Sequence, residues 1–476
     1  MDTEISSPKR SYALDALRGF AILTMLLSGQ IPFGVLPSWM YHAQVPPPLH
    51  KFMPGLAGIT WVDLVFPFFL FSMGAAIPLS ISRKIEKGVP QYKIISSIIL
   101  RGFILVGFAI FDLHIRPGEM KAAPDIATYL YALLGFLLLF PALARFPYKM
   151  SPVISALIKV CGVVGIVVFL ALVRYPDGSG FIAERSDIIL LVLANIAISA
   201  SLIWYFTRSN LLLRLGILGF LFAARLIHTE LSWGKWLWHS TPLPWFGMLY
   251  FQQYLFIVLP GTVIGDLILK WMKSDTALKQ NETVKEWSKS SLIVIAGIMF
   301  IFVLACLVGL KSRLVFETLL GSIGLMLITW GLISKAKTPT EIFIRKIFQW
   351  GSYLLLLGLA FEPYEGGIKK DHPTMSYYFV TAGLAIFMLI AFTIIIDVFK
   401  KKKWVQLLIN NGQNPMIAYV GITNLMPPIL GITGLGVFLD SMFPTPWLGV
   451  LKAVMIVLTL ALIVSFFTKR KIFWRT

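Results

Sequence analysis

What this sequence has little of is charge. Asp, Glu, Lys and Arg make up 14% of its 476 residues, roughly half of the ~25% usual in soluble domains. That scarcity excludes an ordinary soluble fold. Cysteine is almost missing as well. Cys161 and Cys306 are the only two, and they fall in separate apolar runs, so no disulfide framework follows. There is no Walker or dinucleotide glycine pattern and no His-x-x-x-His or Cys-x-x-Cys spacing, so no metal is expected. The first apolar run carries charges inside it and lacks a small-residue cleavage pattern, which marks a retained helix rather than a cleaved signal peptide.

What is there is apolar length. The chain is 57% hydrophobic, with a mean hydropathy of +0.79. Apolar runs of about 20 residues recur from end to end, each long enough to cross a bilayer as a helix. Barrel strands would be about 10 residues of alternating pattern, so a β-barrel is excluded. The expected fold is all-α, a polytopic transmembrane helical bundle of roughly 11–14 helices in a single domain over 1–476. Helix two is expected near 61–82, helix eight near 248–269 and helix eleven near 347–361. The penultimate crossing, near 413–432, contains Pro427-Pro428 and is open to being broken or re-entrant. An outer loop covers 31–60 and a polar cytoplasmic loop 270–289. Trp233, Trp236, Trp238 and Trp245 crowd one loop, which suits the headgroup level of a membrane.

The net charge of +19 does not point to nucleic acid, because the basic residues punctuate the loops between apolar runs. Alternate loops and both tails hold 26 Lys and Arg against 10 in the opposite set, with 6 inside expected helices. That bias puts both termini in the cytoplasm and the 31–60 loop outside. No internal repeat is evident, which weighs against a transporter built on inverted halves.

Chemistry-bearing residues concentrate in the outer loop. His42 and His50 flank the prolines of Val45-Pro46-Pro47-Pro48, and imidazole takes and returns a proton near neutrality. Asp63 opens helix two, where a carboxylate suits the positive end of the helix dipole. Asp15 and Arg18 share one face of helix one as an ion pair or as part of a binding cavity. Arg101 and Arg225 lie deeper, free to snorkel or to bind an anionic group such as a phosphate. Glu317 and Asn195 are orphan polar groups in apolar runs. Asn414, followed by Pro415, caps a crossing.

These residues also carry a family resemblance. Leu14-Asp15-Ala16-Leu17-Arg18-Gly19, the run from Gly58 through Asp63 to Phe71, Pro260-Gly261-Thr262, Lys370 with Thr374-Met375-Ser376-Tyr377, and Gly412-Gln413-Asn414-Pro415 occur in this order. Together they resemble the heparan-α-glucosaminide N-acetyltransferase family and its bacterial homologues, as a divergent member. Where the family has an Asn at the outer end of helix one, this chain has Ser28-Gly29. The resemblance implies an acetyl-CoA-dependent membrane acyltransferase that delivers acetyl to an amino sugar or other sugar acceptor across the membrane. It implies an essential histidine followed by alanine, matched by His42-Ala43 with His50 as competitor, and Asp63 to orient it. Asp15, Arg18, Arg101, Lys370 and Asn414 would help hold substrates. The implied setting is a bacterial inner membrane with the histidine loop on the periplasmic side. The expected partners are acetyl-CoA, the acceptor and the lipid bilayer, with a homodimer as the one protein assembly entertained. The rival reading is a sugar or glycolipid transporter or flippase, and a third is a non-catalytic membrane partner.

Overall fold

Why helices form where they do is written at their starts. Asp125 accepts a hydrogen bond from Thr128 N at 2.9 Å, Asp187 from Leu190 N at 3.0 Å and Asn210 from Leu213 N at 3.0 Å. Each satisfies one of the backbone donors that a helix start leaves unpaired. Pro152, Pro339, Pro415 and Pro446 stand in the first turn, where a missing N–H is harmless.

The computed structural model describes residues 10–34, 36–145, 150–241, 243, 246–277 and 287–475. Trp245 and residues 278–286 of the expected 270–289 loop lie outside the described residues. Among those described, fourteen helices are long and apolar enough to cross a membrane. They are α1 (Tyr12–Gln30), α2 (Trp61–Glu86), α3 (Gln91–His114), α4 (Ile126–Leu143), α5 (Pro152–Leu172), α6 (Ile188–Thr207) and α7 (Leu211–Glu230). The rest are α8 (Leu255–Ser274), α9 (Lys289–Lys311), α10 (Val315–Ile333), α11 (Pro339–Ala360), α12 (Met375–Val398), α13 (Pro415–Ile432) and α14 (Pro446–Lys469). The all-α expectation holds.

The helices depart from the expected runs in several places, and two of the departures have a visible local reason. α11 begins at Pro339 rather than near 347, because Thr338 and Glu341 form a reciprocal capping box that starts the helix under the polar Arg345-Lys346 pair. The eighth run divides into a short turn, Leu249–Gln252, and α8 from Leu255, and α8 continues through Ser274, so the first residues expected in the 270–289 loop are helical. α13 is broken, as Pro427-Pro428 allow: it runs Pro415–Asn424 and then Met426–Ile432, since two adjacent prolines remove two ladder donors.

The chain groups into two compact units. One comprises the described residues up to Ala21, Pro37–Glu86 and Phe256–Gly412. Its centre is α12, whose apolar window is 94% buried, packed by α2, α9 and α11. α2 and α8 approach closely at Gly74, where an added Cβ would collide with the Val258 carbonyl. The other unit comprises Ile22–Leu36, Lys87–Leu255 and Gln413–Thr476. There α3 packs on α6, and α4 on α5 and on the second half of α13. A two-strand ribbon, β1 (Ala144–Arg145) with β2 (Phe473–Trp474), is antiparallel. Its α5 buries only 6% of an apolar window, which in water would be untenable and in lipid is the expected state.

Candidate active site

The site is built on the loop before α2. Gly58 adopts φ +127, backbone that a side chain rarely adopts. Its N–H donates to the Ile368 carbonyl at 2.7 Å, which ties the loop to the segment between α11 and α12. Gln44 repeats that tie from its side chain. Its Nε2 donates to the Leu56 carbonyl at 2.8 Å and to the Gly58 carbonyl at 3.2 Å, while its Oε1 accepts from Lys370 N at 3.4 Å.

Asp63, in the first turn of α2, is fully buried. Its Oδ2 accepts from Thr60 N at 2.8 Å and Ala43 N at 3.2 Å. Thr60 Oγ1 donates to the Tyr41 carbonyl at 2.7 Å, and Tyr377 Oη donates to the Asp63 carbonyl at 2.8 Å. These bonds aim the other carboxylate oxygen at the histidine. Asp63 Oδ1 lies 2.6 Å from His42 Nδ1 in an ion-pair contact. On the opposite side of the ring, His42 Nε2 lies 2.6 Å from Asp371 Oδ2. One imidazole therefore stands between two carboxylates.

The environments of those carboxylates differ. Asp63's side chain is 0% exposed and Asp371's 41%, with His42 between them at 18%. Burial pulls the His42 imidazole down, but the hydrogen bonds to Asp371 and Asp63 and the charge of Asp63 outweigh it, so His42 is raised above the ordinary histidine value. The Lys370 charge opposes this. Burial would raise Asp371, yet its hydrogen bond to His42 and the charges of Lys370 and His42 hold it below the usual carboxylate range. Lys311, at the end of α9, acts electrostatically on Asp63. Arg313 and Glu362 pair beside the loop, and Glu362 Oε1 also accepts from Ile368 N at 3.2 Å. This lattice of bonds holds the 362–374 segment in place.

The expected residues fall into three groups. His42 and Asp63 meet directly, and Lys370 acts on His42 through its charge. His50 stays in the same loop with its ring edge-on to Tyr41 at 4.5 Å. Asp15 and Arg18 lie in the same unit, 3.8 Å apart, but Asp15 is held more closely by Arg10. Arg18 donates to the carbonyls of Gly412 at 3.3 Å and Ser72 at 3.2 Å, so it ties α1 to α2. Arg101 and Asn414 belong to the second unit. Arg101 is exposed on α3. Asn414 donates to the Ile472 carbonyl at 2.9 Å and accepts from Trp474 N at 3.2 Å, both backbone groups of the chain's last segment.

The orphans of the sequence also find places. Arg225 donates to Gln253 Oε1 at 2.5 Å, Asn195 Oδ1 accepts from Gly247 N at 2.8 Å, and Glu317 is exposed. Two arrangements were missed. Asp371 follows Lys370 in a polar loop and gives no sign of meeting a histidine 329 residues away. The second is a buried cluster in the other unit. Arg116 joins Asp112 at 2.5 Å and also Asp187. Tyr419 donates to Asp187 Oδ2 at 2.9 Å and Asn424 to Asp112 Oδ1 at 3.0 Å.

The fourteen apolar helices and the relatives reported next define the class: an integral, multi-pass, all-α membrane protein. The chain belongs to the family described as Domain of unknown function (DUF5009), whose model matches residues 10–268. It is also distantly similar to two curated proteins named heparan-alpha-glucosaminide N-acetyltransferase. With that of Mus musculus it is 31% identical over 105 residues, 22% of this chain and 14% of the relative. With that of Homo sapiens it is 30% identical over 100 residues, 21% of this chain and 13% of the relative. The chain thus aligns with about one seventh of the length of these relatives or less.

Proposed function

We propose that this protein is a membrane acyltransferase that moves acetyl from acetyl-CoA to an amino sugar or related sugar acceptor, with His42 as general base and Asp63 as the residue that orients it. The observation that carries the reading is the His42 imidazole, held by a buried carboxylate on Nδ1 and facing a half-exposed one on Nε2. A buried carboxylate on one ring nitrogen sets the tautomer and stabilises the imidazolium that forms during proton transfer. The distant similarity to named N-acetyltransferases supports the same class. The reading places the site at the outer face of a bacterial inner membrane, in agreement with the bias of basic residues.

The transfer balances as follows. Neutral His42 takes a proton from the acceptor's ammonium, and the freed amine attacks the thioester carbonyl carbon. The N–C bond forms as the C–S bond breaks. The imidazolium gives its proton to the departing thiolate, and the nitrogen releases a second proton to solvent. Acetyl-CoA and acceptor become amide, free thiol and one proton. Lys370 and Arg18 remain candidates for holding substrate, the first beside His42 and the second on α1.

The test is acetyl transfer from radiolabelled acetyl-CoA by the purified full chain, against a panel of amino sugars and sugar alcohols, with His42→Ala and His50→Ala alongside. The expected result is product from the wild type and from His50→Ala, and none from His42→Ala. No binding of acetyl-CoA and no product in folded protein would replace this reading with a transporter.

A further inference from the structure

In its resting arrangement the site has no free base. Both nitrogens of His42 lie 2.6 Å from carboxylate oxygens, with a hydrogen bond on the Asp371 side, and a ring flanked by two carboxylates is held as the imidazolium. For His42 to accept a proton, one carboxylate must exchange it for another cation. Asp63 is not placed to do so. It is fully buried, and its second oxygen is held by Thr60 N and Ala43 N. Asp371 is. Its side chain is 41% exposed, and it stands on the solvent side of the ring.

We propose that Asp371 is the seat for the acceptor's primary ammonium group, which displaces the His42 imidazolium as the counter-ion of Asp371 and so converts His42 to its neutral, basic form. This rests on the acyl-transfer reading above and adds a specificity-determining residue to it. When the ammonium arrives, His42 releases its Nε2 proton to solvent, and the attacking nitrogen is left beside the nitrogen that will deprotonate it. A neutral hydroxyl acceptor brings no cation and leaves His42 paired and charged. The site is therefore selective for amines, because the substrate's own charge switches the base on.

The charges around the switch are Asp63 on Nδ1, with Lys311 acting on Asp63, and Asp371 on Nε2, with Lys370 and His372 acting on Asp371. Lys370 also acts directly on His42. Its charge discourages a second cation, so the ammonium must replace the imidazolium rather than join it.

The experiment follows the ring signals of ¹⁵N-histidine in the full chain in lipid nanodiscs, with the His42 signal identified by its loss in His42→Ala. The probes are methylammonium and glucosamine, with N-acetylglucosamine as the neutral counterpart. In the wild type, both ammonium probes should move the His42 titration midpoint to lower pH, and N-acetylglucosamine should not. In Asp371→Asn the midpoint should start lower and stay put when the probes are added. Asp371→Glu, which keeps the charge, should recover part of the response. An unmoved midpoint in the wild type, or an equal response in Asp371→Asn, overturns the proposal. Acetyl transfer is read separately on the same samples. A response without transfer keeps the ammonium seat and removes the acyltransferase reading, and transfer without a response does the reverse. Where transfer occurs, Asp371→Asn should raise KM for amine acceptors about tenfold or more, the loss of one charge-assisted contact in the bound state. It should also narrow the preference for amines over alcohols.

Discussion

Two places in this molecule hold a cation between two carboxylates, one in each compact unit. In the first, His42 lies between Asp63 and Asp371; in the second, Arg116 lies between Asp112 and Asp187. The arrangements look alike and differ in two properties that decide their use. Arginine does not deprotonate in a protein, whereas histidine changes charge near neutrality. The Arg116 carboxylates are both buried, at 0% and 6% exposed, whereas Asp371 is 41% exposed. Asp187 also caps α6, and Asn424 and Tyr419 complete the hydrogen bonds of the cluster. The second arrangement is thus a fixed clamp joining α3, α6 and α13. The first has a titratable centre and one wall open to exchange.

The comparison breaks hardest at the two cations. His42→Ala should abolish acetyl transfer with the helical content and detergent elution of the protein unchanged, read by radiolabel and size exclusion; retained activity would remove His42 from the chemistry. Arg116→Leu should do the opposite and act on stability. It strands two buried carboxylates, a change that costs about 3–5 kcal/mol when one partner of a buried pair is lost. Thermal unfolding in detergent should show the loss, and adding Asp112→Asn should recover part of it by removing one stranded charge.

A smaller effect is expected at Asp63. Asp63→Asn keeps the shape and removes the charge that holds the tautomer, so the transfer rate should fall by about three to four orders of magnitude, as for a triad carboxylate. The accompanying rise in KM should be minor, since Asp63 is buried behind the ring. The mildest test is pH. The neutral form of His42 is the active one and its two carboxylate neighbours raise it, so activity should climb through an acid limb that lies above the ordinary histidine value of about 6.5. In Asp371→Asn that limb should move to lower pH, because one of the groups that raises His42 is gone. A limb at the ordinary value in the wild type would mean that the carboxylates do not act on His42 in solution.

How much of this could be read before the structure depends on whether a residue's partners are near in sequence. The crossings were legible because the length and hydropathy of a run are properties of the run itself. The break in α13 was open to view in Pro427-Pro428. The early start of α11 has a signal too, in Thr338 and Glu341, three apart as a capping box requires. His42 and Asp63 stood out as chemistry at the mouth of one apolar helix, and both proved to belong to one arrangement. His50 stands in the same loop as a competitor, and nothing local says that it is His42 whose ring lies between two carboxylates.

The chain by itself determined that this is a helical membrane protein, about where its crossings lie, and that two imidazoles precede a carboxylate at the start of α2. Those are local properties: transfer free energy summed over about 20 residues, caps within one turn, and dipoles at helix ends. Only the tertiary structure decided that Asp371 closes the other side of His42 and that Arg116 is shared by carboxylates from two helices. It also decided that Asn414 holds the chain's last segment. Each joins residues tens to hundreds of positions apart. Such partners are chosen by how the helices pack, and packing leaves no periodicity in the sequence to read.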